Sequence, residues 1–104
     1  MIIRGTTPTL TFHVKNEIDL NEIAQVWITF KTKVGITIKE KTYDIEDVTI
    51  ENNDISLNLT QEDTLEFTDQ VMLVQLRVRL NNDVAYASSI MEVDIGQILK
   101  EGVI

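Results

Sequence analysis

A long stretch of alternating residues, 70–95, constrains the fold more than any other part of the chain. Every even-numbered position from Met72 to Leu80 is apolar, and polar residues stand at most of the positions between them. A period of two is typical of a strand with one buried face. The cluster Asn81-Asn82-Asp83 follows, and Asn and Asp accept the positive φ that tight turns need. The stretch therefore predicts one antiparallel hairpin.

The predicted register of this hairpin follows from a two-residue loop at Asn82-Asp83. It pairs five even-numbered residues across the turn: Leu80 with Ala85, Val78 with Ala87, Leu76 with Ser89, Val74 with Met91 and Met72 with Val93. Small or apolar side chains then face each other on one side, whereas Arg79 pairs with Tyr86 on the other.

Shorter alternating segments fill most of the remaining chain. They begin at Thr9, Ala24, Ile36, Val48 and Ile55, and clusters of turn-forming residues separate them. In segment 24–33 the even positions up to Phe30 are apolar, so Trp27 is predicted on the outer face. Thr60 and Asp63 fit a capping box, which predicts one helical turn over 61–67. The pattern indicates an all-β, two-sheet antiparallel β-sandwich, with a small barrel as the alternative.

Length and composition restrict the classes of protein and partner. A chain of 104 residues predicts a single domain over 1–104. The net charge of −8 argues against nucleic acid and anionic membranes as partners. The chain has no cysteine, which excludes disulfides and thiolate metal sites. No apolar run approaches the ~20 residues of a membrane-spanning helix.

The residues that commonly carry chemistry occur here without a catalytic pattern. His13 is the only histidine and is predicted to be exposed on the polar side of its strand. The three serines, Ser56, Ser88 and Ser89, lack the glycines of a nucleophile elbow. The acidic segment 44–54 lacks the glycine and ligand spacing of a calcium loop. We therefore predict a protein that is not an enzyme and has no catalytic residues, metal site or cofactor.

Two features favour binding instead. Trp27 either lies under a neighbouring loop or helical turn, or acts as a contact anchor, since tryptophan is enriched at interface hot spots. The apolar tail from Ile98 to Ile104 either packs back on the sheet or adds to the sheet edge of a neighbour. The predicted interface comprises Trp27, Arg79, Tyr86, Ile98, Leu99, Val103 and Ile104.

Three segments together resemble a known family: Arg4–Phe12, Ile55–Thr64 and Ser88–Ile90. They are similar to the N-terminal β-sandwich of upper baseplate proteins from phages and prophages of Gram-positive bacteria. Leu59 to Thr64 matches the Leu-Thr-x-x-Asp-Thr element of that family, whereas Thr6 stands where the family often has aspartate. Longer members continue into receptor-binding or stalk regions, and this chain stops.

The resemblance implies an immunoglobulin-like sandwich that builds the virion through protein–protein contacts. It implies a homo-oligomer whose partners are itself or other phage tail proteins. Such a protein is made in the bacterial cytoplasm and ends in the virion. The alternative is a soluble ligand-binding module, for instance one that grips carbohydrate through exposed Trp27, Tyr43 and Tyr86.

Overall fold

A computed structural model describes residues 1–34 and 38–104. Within these ranges the strands are β1 (Ile2–Ile3), β2 (Thr9–His13), β3 (Ile23–Thr32), β4 (Glu40–Tyr43), β5 (Val48–Glu51), β6 (Asp54–Asn58), β7 (Val71–Leu80), β8 (Ala85–Ala87) and β9 (Met91–Gly96). One α-helix, α1 (Gln61–Leu65), and two 3₁₀ turns, Leu20–Glu22 and Ile45–Asp47, complete the elements. Strands hold 49% and helices 11% of the described residues, which confirms the all-β class.

The strands form two sheets. The larger has the order β1-β9-β7-β3-β4, and β8 also pairs with β7; the smaller has the order β2-β6-β5. β1 runs parallel to β9, and the other pairs are antiparallel. Buried residues of both sheets, including Phe30 and Ile55, belong to one core. The two sheets therefore belong to one packed domain.

The ten-residue strands β3 and β7 pair over most of their length and form the centre of the larger sheet. Val26, Ile28 and Phe30 are fully buried, whereas Trp27 between them is exposed. This confirms the inner and outer faces predicted from alternation. Because Trp27 is opposite Arg77 in the register, both side chains project from the outer face of this sheet.

The predicted helical turn exists and is shorter than expected. The Thr60 side chain accepts a hydrogen bond from the Asp63 amide, and Asp63 accepts one from the Thr60 amide, so the capping box is confirmed. The helix ends at Leu65. Phe67 then turns inward and stacks on Phe30 with ring centroids 5.0 Å apart. The two 3₁₀ turns were not predicted. The turn at Ile45–Asp47 has an Asp44 capping box, which fixes the start of the acidic segment 44–54.

The central hairpin differs from its predicted register near the turn. Val78 pairs with Tyr86 and Arg79 with Ala85, one residue away from the prediction, whereas Met72 does pair with Val93. The loop has three residues, because the Leu80 amide bonds the Val84 carbonyl. Three-residue hairpin loops end in a left-handed residue, and Asp83 has φ 68°.

An irregular segment at Ser88–Ile90 restores the predicted register farther from the turn. The Ser88 amide bonds the Leu76 carbonyl at 2.8 Å, and the Ser88 hydroxyl accepts from the Leu76 amide at 3.0 Å. The Ser88 hydroxyl therefore accepts a hydrogen bond that a backbone carbonyl would accept in a regular sheet. Serine side chains commonly compete with the backbone in this way. The extra residue separates β8 from β9.

Two other segments depart from prediction. The hairpin of β3 with the following strand is confirmed, but β4 covers Glu40–Tyr43 rather than 36–42, and Ile36 and Thr37 lie outside the described residues. Residues 1–8 contain β1, although they were predicted only as an opening segment. A two-residue strand is too short to show a period of two.

Tyr43 is buried, contrary to its predicted exposure, and its ring meets Phe30 edge to face with centroids 6.0 Å apart. Among the described residues no acceptor meets the distance and angle of an ordinary hydrogen bond to its buried hydroxyl, although the Asp63 side chain is close enough to interact with it. Burial raises the pKa of Tyr43 well above its usual value, and the charges of Asp63, Glu66 and Asp47 raise it further. The folded protein therefore favours the neutral phenol.

We expect Tyr43→Phe to raise the free energy of unfolding by about 1 kcal/mol, because it removes a buried hydroxyl that lacks a partner. The wild type should also lose stability as the pH rises above about 10, where the unfolded chain ionises and the folded one resists it. Urea titrations at neutral and alkaline pH measure both effects. Tyr86→Phe, at an exposed position, is the control. A destabilised Tyr43→Phe would mean that the hydroxyl is hydrogen bonded.

Candidate functional site

Trp27 occupies the middle of the outer face of the larger sheet. Its side chain is 46% exposed, so the described residues leave about half of it open to solvent. Arg77 lies directly opposite on β7, Gln25 pairs with Arg79, and Thr29 pairs with Gln75. An aromatic side chain held between two long paired strands is a rigid feature of the surface.

The guanidinium carbon of Arg77 lies 5.5 Å from the centroid of the Trp27 ring. At this distance the positive charge is attracted to the face of the indole. Among the described residues the Arg77 guanidinium has no ion pair or hydrogen bond. Its donors are thus positioned by the indole and directed to solvent.

Two shallow concavities border Trp27. The smaller, about 140 Å³, lies on the side of Gln25, Arg79 and Ala85. The larger, about 390 Å³, extends to Lys31, Glu40, Gln75 and Ile90, among other residues. Arg77 lines both. Three basic side chains therefore surround the tryptophan in a chain whose net charge is −8. Their carboxylate neighbours are Glu40 and Asp83, and Asp83 pairs with Arg79 at 3.4 Å. We call Trp27, Lys31, Arg77 and Arg79 the Trp27 face.

The structure places the predicted interface residues in three separate regions. Trp27 and Arg79 share the Trp27 face. Tyr86 instead lines a cleft of about 270 Å³ with His13, Lys15, Leu76 and other residues. It pairs with Val78 rather than with Arg79, which corrects the predicted pairing and explains its position on the other side of the sheet.

The tail from Ile98 to Ile104 forms the third region. Ile98 is partly buried beside Gly5 and Leu65, whereas Leu99, Val103 and Ile104 are exposed. The Gln61 side chain exchanges two hydrogen bonds with the Ile104 backbone, at 3.2 and 2.9 Å. The tail thus lies against α1 rather than on a sheet, with apolar side chains directed to solvent.

Arg77 and Lys31 belong to the Trp27 face but were not among the interface residues predicted from the sequence. Both lie at odd positions of strands whose outward-facing residues were correctly predicted. Their proximity to Trp27 depends on the register between β3 and β7, which are separated by some forty residues of chain. Of the residues on the Trp27 face, the sequence therefore indicated only Trp27 and Arg79.

Other groups that were considered for chemistry have structural partners. The Nδ1 atom of His13 lies 2.6 Å from the Asp54 carboxylate on the exposed side of β2 and β6. Asp44 and Asp47 cap the 3₁₀ turn between β4 and β5. Over residues 1–34 and 38–104, no cluster of three or more potential ligands could hold a metal ion. No helix in the same ranges is long and apolar enough to cross a membrane.

No family model, curated protein or solved structure matches the chain.

Proposed function

We propose that this chain is a non-enzymatic structural protein of a phage or prophage, of the tail or baseplate type. It acts through contacts with itself and with other tail proteins, after synthesis in the bacterial cytoplasm and incorporation into the virion. The observation that carries its role in binding is the half-exposed Trp27, fixed beside the unpaired guanidinium of Arg77. The resemblance in sequence supports the assignment to phage structural proteins.

The strand order supports an immunoglobulin-like form of the sandwich. In that fold the second, fifth and fourth strands lie side by side in one sheet. The seventh, sixth and third strands lie side by side in the other sheet, and an additional strand that follows the third in sequence can extend it. The sheet β2-β6-β5 corresponds to the first group and β9-β7-β3-β4 to the second. β1 then pairs with the last strand instead of with the smaller sheet.

A contact role for Trp27 follows from its energetics. The buried side chains of both sheets form the core without the indole. Tryptophan and arginine are the residues most enriched at energetic hot spots, where large flat side chains lose water on binding. Because Trp27 stands on a central strand, a partner meets it with little loss of conformational entropy.

The structure offers less support for the carbohydrate-binding alternative. The three aromatics proposed as its platform do not converge, because Tyr43 is buried and Tyr86 lies in another cleft. Arg77 also lies over the Trp27 ring, where a sugar would stack. A protein partner that contacts the exposed part of the indole and the guanidinium together fits this geometry better.

We expect Trp27→Ala to convert a defined oligomer of the wild type into a monomer that remains folded. Light scattering behind a sizing column, over a range of concentrations, measures the mass, and urea titration measures the stability. Tyr86→Ala removes a similarly exposed aromatic from a different surface and should leave the mass unchanged.

A wild type that is monomeric at every concentration would contradict self-assembly. An oligomer that survives Trp27→Ala would contradict the role of this surface. If Trp27→Ala unfolds, Trp27→Lys separates the two roles: it keeps a long side chain but removes the aromatic ring, and should remain folded and monomeric.

A further inference from the structure

We propose that two copies of this chain meet heterologously, the Trp27 face of one against an acidic edge of the next. We define the acidic edge as Glu46, Asp47, Glu62, Asp63 and Glu66. The inference rests on the proposed function, because it specifies the partner of the Trp27 face. It also specifies a symmetry, since a contact between two different surfaces closes into a ring or extends as a filament.

The acidic edge is formed by two short elements beside β4. Glu46 and Asp47 belong to the 3₁₀ turn after β4, and Glu62, Asp63 and Glu66 belong to α1 and its C-terminal cap. The Phe30 ring contacts Tyr43, which lies just before the 3₁₀ turn, and Phe67, which directly follows Glu66, so both elements meet at one aromatic cluster. Neither element has a basic residue in its last turn.

Charge distinguishes this surface from the Trp27 face. Lys39 and Lys41 lie beside the acidic edge, so it combines five carboxylates with two ammonium groups. The Trp27 face has three cations; Glu40 lines the same concavity, and Asp83 pairs with Arg79, so Arg77 and Lys31 are the cations without an ion pair among the described residues. Glu46, Glu62 and Glu66 are exposed and accept no capping hydrogen bond. Each surface therefore has unpaired charges of the sign that the other one attracts.

Arg77 is suited to contact such a carboxylate. A guanidinium presents paired N–H donors that match the two oxygens of a carboxylate. The Trp27 ring already holds this guanidinium in place, which reduces the conformational entropy lost on binding. The same indole buries apolar area in the contact, so charge and burial act together.

A symmetric contact between two Trp27 faces is disfavoured. A two-fold axis through Trp27 would bring Arg77 and Arg79 of one copy close to the same residues of the other. Like charges facing each other across an interface cost free energy and suppress that pairing. A basic surface on a predominantly acidic chain instead finds its complement on a different side of another copy.

Two neutralising variants test the arrangement. The first is Arg77→Gln with Arg79→Gln, and the second is Glu62→Gln with Glu66→Gln; the caps Asp47 and Asp63 are left intact. Each variant alone should be monomeric, with at least about a tenfold weaker association than the wild type. An equimolar mixture should form one-to-one dimers and nothing larger, since each copy retains a different half of the contact.

The control variant is Lys15→Gln with Glu17→Gln, which removes one charge of each sign outside both surfaces and should assemble like the wild type. Raising NaCl from about 0.05 M to about 1 M should dissociate the wild-type oligomer, because the screening length falls to roughly 3 Å. Light scattering gives all these masses.

The outcomes separate this inference from the proposed function. One outcome overturns the heterologous contact but keeps the role of Trp27: the wild-type oligomer dissociates in Trp27→Ala, yet stays intact in the glutamate variant and in high salt. A wild-type dimer that does not grow with concentration would also overturn it, since it indicates a symmetric pair. A monomeric wild type would overturn both.

Discussion

Phe30→Ala is expected to lower the free energy of unfolding by about 3–5 kcal/mol, since it empties a large, fully buried site. Phe30 stacks on Phe67 and meets Tyr43 edge to face, so it joins β3, β4 and the segment after α1. Domains of this size are stable by only about 5–15 kcal/mol. The variant should therefore lose a large fraction of that stability.

Urea titration followed by circular dichroism measures this loss. Phe12→Ala removes the same side chain from a partly buried position on the edge strand β2, and should cost clearly less. Equal losses for the two variants would mean that the aromatic cluster around Phe30 is not the centre of the core.

Arg4→Ala is expected to cost about 2–3 kcal/mol, because a buried charged donor is lost. The Arg4 side chain is 8% exposed, and its Nη2 donates to the carbonyl of Leu65 at 2.7 Å. The same guanidinium binds both carboxylate oxygens of Glu101, at 2.5 and 3.1 Å. Without it, a carbonyl in the last turn of α1 loses its partner.

Glu101→Gln is the matched control for Arg4→Ala. The Glu101 side chain is 63% exposed, so water screens its end of the ion pair, and the buried Arg4 keeps its bond to the Leu65 carbonyl without it. Its loss should therefore be small in the same urea titration. If Glu101→Gln costs as much as Arg4→Ala, the ion pair rather than the bond to Leu65 stabilises this region.

Short sequence patterns correctly predicted the features that depend on interactions between residues close together in the chain. The alternation in β3 separated buried Val26 and Ile28 from exposed Trp27, since each side chain's face depends only on its position along the strand. The capping box at Thr60 predicted the start of α1, because its hydrogen bonds join residues three apart. Both signals lie within a few residues of the feature they predict.

Contacts between distant segments could not be obtained in this way. The register of the central hairpin failed by one residue near the turn, because both two- and three-residue loops suit Asn81-Asn82-Asp83. The pairing of Ile2 with Ile95 has no local pattern at all. The same holds for Arg77, which reaches Trp27 only through a register between strands far apart in sequence.

Tyr43 shows a different limit of sequence analysis. The apolar residues at the start of its predicted segment, Ile36 and Ile38, lie at even positions, so alternation alone put Tyr43 on the opposite face. Its burial follows from contact with Phe30 on the adjacent strand. A tyrosine carries both apolar area and a hydroxyl, and only tertiary packing decides which of them determines its position.

The contact between Arg4 and Glu101 also limits how early the newly made protein can complete its fold. These residues are 97 positions apart, and β1 likewise completes the larger sheet by joining its last strand. At about 5–20 residues per second, a ribosome needs roughly 5–20 s to pass from one to the other. Throughout that interval β1 lacks its partner strand and Arg4 lacks Glu101, although Leu65 is already made. We therefore expect ribosome-bound chains that end before β9 to be cut by proteases near β1 more readily than chains that include it.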